Sequence, residues 1–347
     1  MGSRAWRVAP LVVLVALLAP AASASANPVT NCDPLDPSAC MLPFPNDYFT
    51  VSDPTTPTGL RIDFKLADMP RNVAGKPIDP APYNMNDGFS PGQEIVTHVP
   101  GLDNQQAFDA TGAVPISDVA RSFDPTQPVV VIDATTLKRH LIWSEVDANP
   151  ANNSDRDLLI RPAVNWAEGH HYIVALRNLR DSNGQLIPAQ APFRVYRDRQ
   201  PSTDAAVQAR RPHMEWIFSR LAKAGIARHS LYLAWDFTVA SRQNLAGRAL
   251  YMRDDAFKQL GDTNLSDMKV QGSAPTFTVT QTTDYTPDQN ANVAREVQGT
   301  FLVPCYLDAP GCPPGSSMAF APGSQTPLRL PGNTMLANFD CIIPRAA

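Results

Sequence analysis

Charge is scarce in this sequence. Only 18% of its 347 residues are charged, and the net charge is -4. A phosphate backbone is gripped by clustered Lys and Arg, so nucleic acid is not an expected partner. Long apolar runs are also missing beyond the first 26 residues. None approaches the ~20 residues needed to cross a bilayer, so no transmembrane segment is expected. Cysteine is limited to five positions, and none forms the Cys-x₂₋₄-Cys spacing of a zinc ribbon. There is no glycine-rich phosphate loop, no His-x₃-His pair and no paired-carboxylate motif. On the residues alone, no catalytic, cofactor-binding or metal-ligating residue is assigned.

Residues 1–26 carry a recognisable pattern. Arg4 and Arg7 give a positive start, Val8 to Ala19 is apolar, and Ala22-Ser23-Ala24-Ser25-Ala26 offers a small-residue cleavage site. About twelve apolar residues are too few for a membrane anchor, so 1–26 reads as a signal peptide and the chain as secreted, extracellular or periplasmic. Oxidising surroundings make Cys32–Cys40 and Cys305–Cys312 the expected disulfides, each closing a short proline-containing loop. Cys341 is left unpaired.

Proline is abundant: 34 residues, about twice average usage. Spread along the chain, they suit short strands and rigid turns better than long helices. The expected class is mainly β with a minor α component. Four segments follow residue 26. Residues 27–127 read as a proline-rich extended segment. Residues 128–198 carry the strand-like runs Val129–Ile132, His140–Trp143, Leu158–Ile160, Tyr172–Leu176, Leu186–Ile187 and Phe193–Tyr196. The turn Asp181-Ser182-Asn183-Gly184 interrupts them, and an immunoglobulin-like sandwich is expected there. Residues 199–262 hold helices around one strand, Ser230–Val239. The first helix is capped by Ser202 or Thr203, is kinked or restarted by Pro212 and ends at Gly225. The second runs from Gln243 to Leu260 and is closed by Gly261. Residues 263–347 return to strands at Phe277–Val279, Val297–Val303 and Phe339–Ile343.

The sharpest chemical motif is Gly88-Phe89-Ser90-Pro91-Gly92, which matches the nucleophile elbow Gly-x-Ser-x-Gly. That elbow needs a strand before the serine, a helix after it, and a backbone N–H on the following residue for the oxyanion. Prolines and asparagines precede Ser90, a strand-like run follows, and Pro91 has no N–H. Ser90 reads as a turn residue. His170 and His171 are adjacent on a strand and so face opposite ways, unable to share one ion. His98, His140, His213 and His229 read as structural or surface histidines. The loop from Glu145 to Asp157, with Asp147, Asn149, Asn152 and Asp155, gathers oxygens of the kind calcium takes, but Asn and Asp are also what turns prefer. Asp236, between Trp235 and Phe237, lies opposite the apolar face by alternation and reads as exposed or turn-pairing.

Several longer motifs belong together. They are Cys32-Asp-Pro-Leu-Asp-Pro-Ser-Ala-Cys40 with Leu42-Pro-Phe-Pro-Asn-Asp-Tyr-Phe49, and Asn86-Asp-Gly-Phe-Ser-Pro-Gly92. With them go Leu158-Leu-Ile-Arg-Pro162, Gly169-His-His-Tyr-Ile-Val-Ala-Leu176 and Leu231-Tyr-Leu-Ala-Trp-Asp-Phe-Thr-Val239. In these the chain resembles the bacterial virulence factor lipase N-terminal family. The resemblance implies a β-rich region that precedes an α/β-hydrolase portion bearing the serine, acid and histidine. That portion would begin about where the sequence stops, with the partner of Cys341 beyond it. It implies no catalytic residue within 1–347. The expected function is therefore a non-catalytic module that supports or orients a hydrolase domain, or presents it to a lipid or ester surface. A stand-alone secreted binding protein is the alternative, and an ester hydrolase in its own right comes last.

Overall fold

The structure is a computed structural model that describes residues 2, 32–36, 39–324 and 326–345. The signal-peptide reading falls on residues that lie, Gly2 aside, outside that description. The class is as expected, mainly β with a minor helical component.

The chain begins with two short strands, β1 (Thr50–Ser52) and β2 (Leu60–Ile62), which pair with each other. Next come β3 (Ile95–Thr97) and a short helix, α1 (Gln105–Thr111), before β4 (Val129–Asp133) and β5 (Ile142–Val146). β6 (Leu158–Pro162) and β7 (His171–Arg177) follow, then two helices, α2 (Ala191–Arg197) and α3 (Ala205–Lys223). β8 (Leu231–Thr238) leads into α4 (Arg242–Leu260), and the chain ends in three long strands, β9 (Phe277–Asp284), β10 (Val293–Pro304) and β11 (Thr334–Pro344).

Two three-stranded antiparallel sheets form the centre, in the orders β3-β6-β5 and β4-β7-β8. The strands of 128–198 are thus divided between two sheets, each completed by a strand from outside that range. All five residues of β4 and all eight of β8 are buried. Helices α2 and α3 lie against β8, and α3 also meets β7. Continuous burial on both faces explains why β4 reads as Val-Val-Val-Ile with no alternation. Trp235 and Trp166, both almost fully enclosed, stitch loops to this core. Their Nε1–H groups donate to the carbonyls of Pro45 and Gln93, each at 2.8 Å.

Local chemistry explains where the elements depart from expectation. Phe193–Tyr196 is helical, not extended, because Pro192 sits in the first turn of α2, where its missing N–H costs nothing. Phe193 and Tyr196 then fall one turn apart and are both buried. The cap of α3 is Asp204, whose carboxylate accepts the N–H groups of Ala206 and Val207. The helix runs unbroken past Pro212 with Met214, Ile217, Phe218 and Leu221 on its buried stripe. α4 closes as expected at Gly261, which adopts a left-handed φ of 91°. β10 and β11 are longer than expected, with a register running from Val293–Pro344 to Pro304–Thr334.

Candidate functional site

Asp236 overturns its expected placement. Alternation along β8 correctly sets it on the face away from Trp235 and Phe237, but that face is covered too, and Asp236 is only 3% exposed. On β7, His171 stands in register with Thr238, so its side chain shares the face of Asp236. From above, α3 contributes His213, and the 3-10 turn Asp47–Phe49 contributes Asp47. Four titratable groups therefore meet where β7, β8, α3 and the N-terminal segment come together.

The geometry is close. His171 Nε2 lies 2.7 Å from Asp236 Oδ2 and 3.5 Å from Asp47 Oδ2. His213 Nε2 lies 2.8 Å from Asp236 Oδ2 and 2.9 Å from Oδ1. Asp47 is held in turn by Thr238, whose backbone N–H and hydroxyl donate to its two oxygens at 2.8 and 2.6 Å. The indole of Trp216 lies nearly parallel to both imidazoles, with centroids 5.0 Å from His171 and 5.7 Å from His213. Ring stacking and hydrogen bonds together fix the direction in which each imidazole points.

The surroundings push the acids apart. Burial, reinforced by the negative charge of Asp236, raises the Asp47 carboxyl to about 6. Burial also opposes charge on Asp236, but hydrogen bonds from both histidines prevail and hold it well below the usual carboxylate range. His171 is desolvated, yet Asp236 and Asp47 raise it above an ordinary histidine. His213 is raised chiefly by its hydrogen bond to Asp236. One carboxylate is thus fixed as an anion, with the cationic form of each imidazole favoured beside it.

The other residues singled out earlier have different fates. His170 turns away from His171 and pairs with Asp133 at 2.5 Å, as opposite-facing neighbours should. His98 meets Asp157 at 3.1 Å, and His140 packs on Trp166. In the Asp147 loop the oxygens face the loop's own amides: Asp147 Oδ1 accepts from the backbone and side chain of Asn149, and Asp155 accepts from Asn152. Both disulfides are formed as expected, and Cys341 is free and exposed.

Ser90 is exposed at a turn, and a strand, β3, follows it. Its Oγ accepts the N–H of Gly92 at 3.3 Å, and among the described residues it bonds to no histidine or carboxylate. Ser90 does border an apolar cavity of about 360 Å³ walled by Phe44, Phe64, Met69 and Phe89. A triad needs a base within hydrogen-bond reach of the nucleophile.

Sequence reasoning missed the meeting of His171, His213 and Asp236 because 65 and 23 residues separate the two histidines from the aspartate. One signal was available: an aspartate inside an apolar strand must find a partner if its face is covered. No family model, curated protein or solved structure matches the chain. Among the described residues, no helix is long and apolar enough to cross a membrane.

Proposed function

We propose that this chain is a non-catalytic supporting module of an exported lipase- or esterase-like hydrolase, docking the hydrolase domain through its C-terminal sheet. The reading takes its hydrolase from the resemblance noted in the sequence. The observation that carries it is the chemistry of the sheet β11-β10-β9.

That sheet exposes large apolar side chains, Phe277, Val279, Leu302, Leu336, Ile342 and Ile343 among them. By register, Phe277 opposes Phe301 and Val279 opposes Gly299, while Gly299 opposes Phe339 on the other side. Phe277, Val279, Val297, Phe301, Phe339 and Ile343 therefore share one face with Arg295 and Thr282, while Leu302, Leu336 and Ile342 lie on the other among Thr278, Glu296, Gln298, Thr300 and Asp340. None of the six apolar residues belongs to the buried core, and Phe277 is 60% exposed. A contiguous apolar patch of this kind marks a protein interface. At the same time Pro91 withholds the N–H that an acyl-transfer site at Ser90 would require.

The test uses the purified chain immobilised on resin and the culture medium of its source organism. Esterase activity is expected to be retained by the resin and lost on Phe277→Glu with Val279→Glu. The chain alone is expected to turn over no short-chain ester. Failure to retain esterase activity, or turnover by the chain alone that Ser90→Ala abolishes, overturns the reading.

A further inference from the structure

Independently of the C-terminal sheet's role, we propose that Asp47, His171, His213 and Asp236 bind a divalent first-row transition metal of the zinc class. Such an ion would clamp the N-terminal segment to the central sheet and to α3.

Convergence is the first argument. Both histidines aim the same ring nitrogen, Nε2, at the same oxygen of Asp236, at 2.7 and 2.8 Å. One ligand atom from each of Asp47, His171 and Asp236 lies within 4.8 Å of the others. Bonds of ~2.0–2.2 Å to a tetrahedral ion set neighbouring ligand atoms about 3.3–3.6 Å apart. The separations found among these three and from His213 to Asp236, 2.7 to 3.5 Å, are close to that spacing, and His213, which stands outside the group of three, must turn toward Asp47 to complete the set.

Charge is the second. Two carboxylates, with side chains 10% and 4% exposed, lie side by side. Charges so enclosed require compensation. One divalent cation would take the place of the two imidazolium charges that otherwise balance them, leaving both imidazoles neutral, which is the form that ligates. Two nitrogens and two carboxylate oxygens suit zinc and its first-row neighbours. Calcium and magnesium prefer oxygen alone.

Support around the ligands is the third. Thr238 fixes Asp47 with two donors, and Trp216 fixes the planes of both rings, as outer-shell partners do at metal centres. His213 has a side chain 46% exposed, which leaves an entry path on the α3 side.

The experiment uses the full chain carrying Cys341→Ser, to remove the exposed thiol, and dialysed free of metal. Zn²⁺ is titrated in competition with a chromophoric chelator, and Co²⁺ is followed by visible absorption. We expect one ion per chain and the intense bands of four-coordinate cobalt. His171→Gln and His213→Gln should each lower affinity by at least ~100-fold, and Thr238→Val by roughly 10–100-fold as a positioning residue. Circular dichroism checks that each variant is folded. Should His171→Gln unfold the chain, His213→Gln, on the solvent side of α3, decides alone. The inference is overturned if the chelator takes all the zinc, if binding survives in folded His213→Gln, or if cobalt shows only the weak bands of a six-coordinate ion.

Discussion

Arg210 and Asp33 show how a single pair can tie distant chain together. Asp33 is completely buried beside Cys32, and both its oxygens accept from the Arg210 guanidinium at 2.6 and 2.8 Å. The same guanidinium lies over the ring of Tyr48, 4.8 Å from its centroid. Asn46 completes the set by donating to Asp33 at 2.7 Å. Forked, charge-assisted geometry of this kind is specific to Arg. Arg210→Met should cost about 3–5 kcal/mol, because it strands a buried carboxylate. Urea unfolding of the variant and the parent measures the difference, and a loss below about 1 kcal/mol would show that Asp33 is easily rescued by protonation or water. Neither residue stood out in the sequence, where Asp33 is one of many acids near prolines and Arg210 one of several arginines on a helix.

Among the elements, the β9–β11 sheet depends most visibly on one position. A Cβ placed on Gly299 would lie 2.3 Å from the carbonyl oxygen of Thr278 and 2.5 Å from the ring of Phe339. Phe339 covers the bare backbone of its cross-strand neighbour, a known device for stabilising a glycine within a strand. Gly299→Ala should displace that ring, loosen the pairing of β9 with β10, and cost roughly 1–3 kcal/mol of local stability. Hydrogen exchange distinguishes local from global loss. Protection is expected to fall in β9–β11 and to stay unchanged in β4, β7 and β8. Exchange that speeds equally everywhere would mean that the sheet and core unfold as one unit.

Legibility differed element by element. β4 and the ends of α4 could be read directly, since a continuous apolar run and a closing glycine act over a few residues. Phe193–Tyr196 could not, because spacings of two and three both fit so short a stretch, and Pro192 in the first turn together with the docking of α2 on β8 chose between them. Asp236 was set on the correct face but given the wrong environment. Alternation reports which way a side chain points and says nothing of what covers it.

For the whole molecule, the two disulfides act at opposite ends. Cys32–Cys40 encloses Leu35 and Asp36, both buried, and so belongs to the core. Cys305–Cys312 lies just after β10, at the foot of the C-terminal sheet. Loops this short withdraw about 2.5 kcal/mol of chain entropy from the unfolded state on the loop-closure model. Replacing Cys32 and Cys40 by Ser should therefore lower the urea midpoint of the whole core. Replacing Cys305 and Cys312 should act on the C-terminal sheet while leaving the core transition in place. Coincident shifts in both variants, followed by tryptophan fluorescence, would contradict that division, since Trp166 and Trp235 report the core alone.

The sequence by itself determined the class of structure and both local disulfides. Each of these rests on residues within about ten positions of one another, where backbone geometry and loop closure dominate. Only the tertiary structure decided that His171, His213, Asp236 and Asp47 share one corner and that the C-terminal sheet leaves large apolar side chains exposed. Both depend on which elements pack together, and packing is a property of surfaces far apart in the chain that no local pattern encodes.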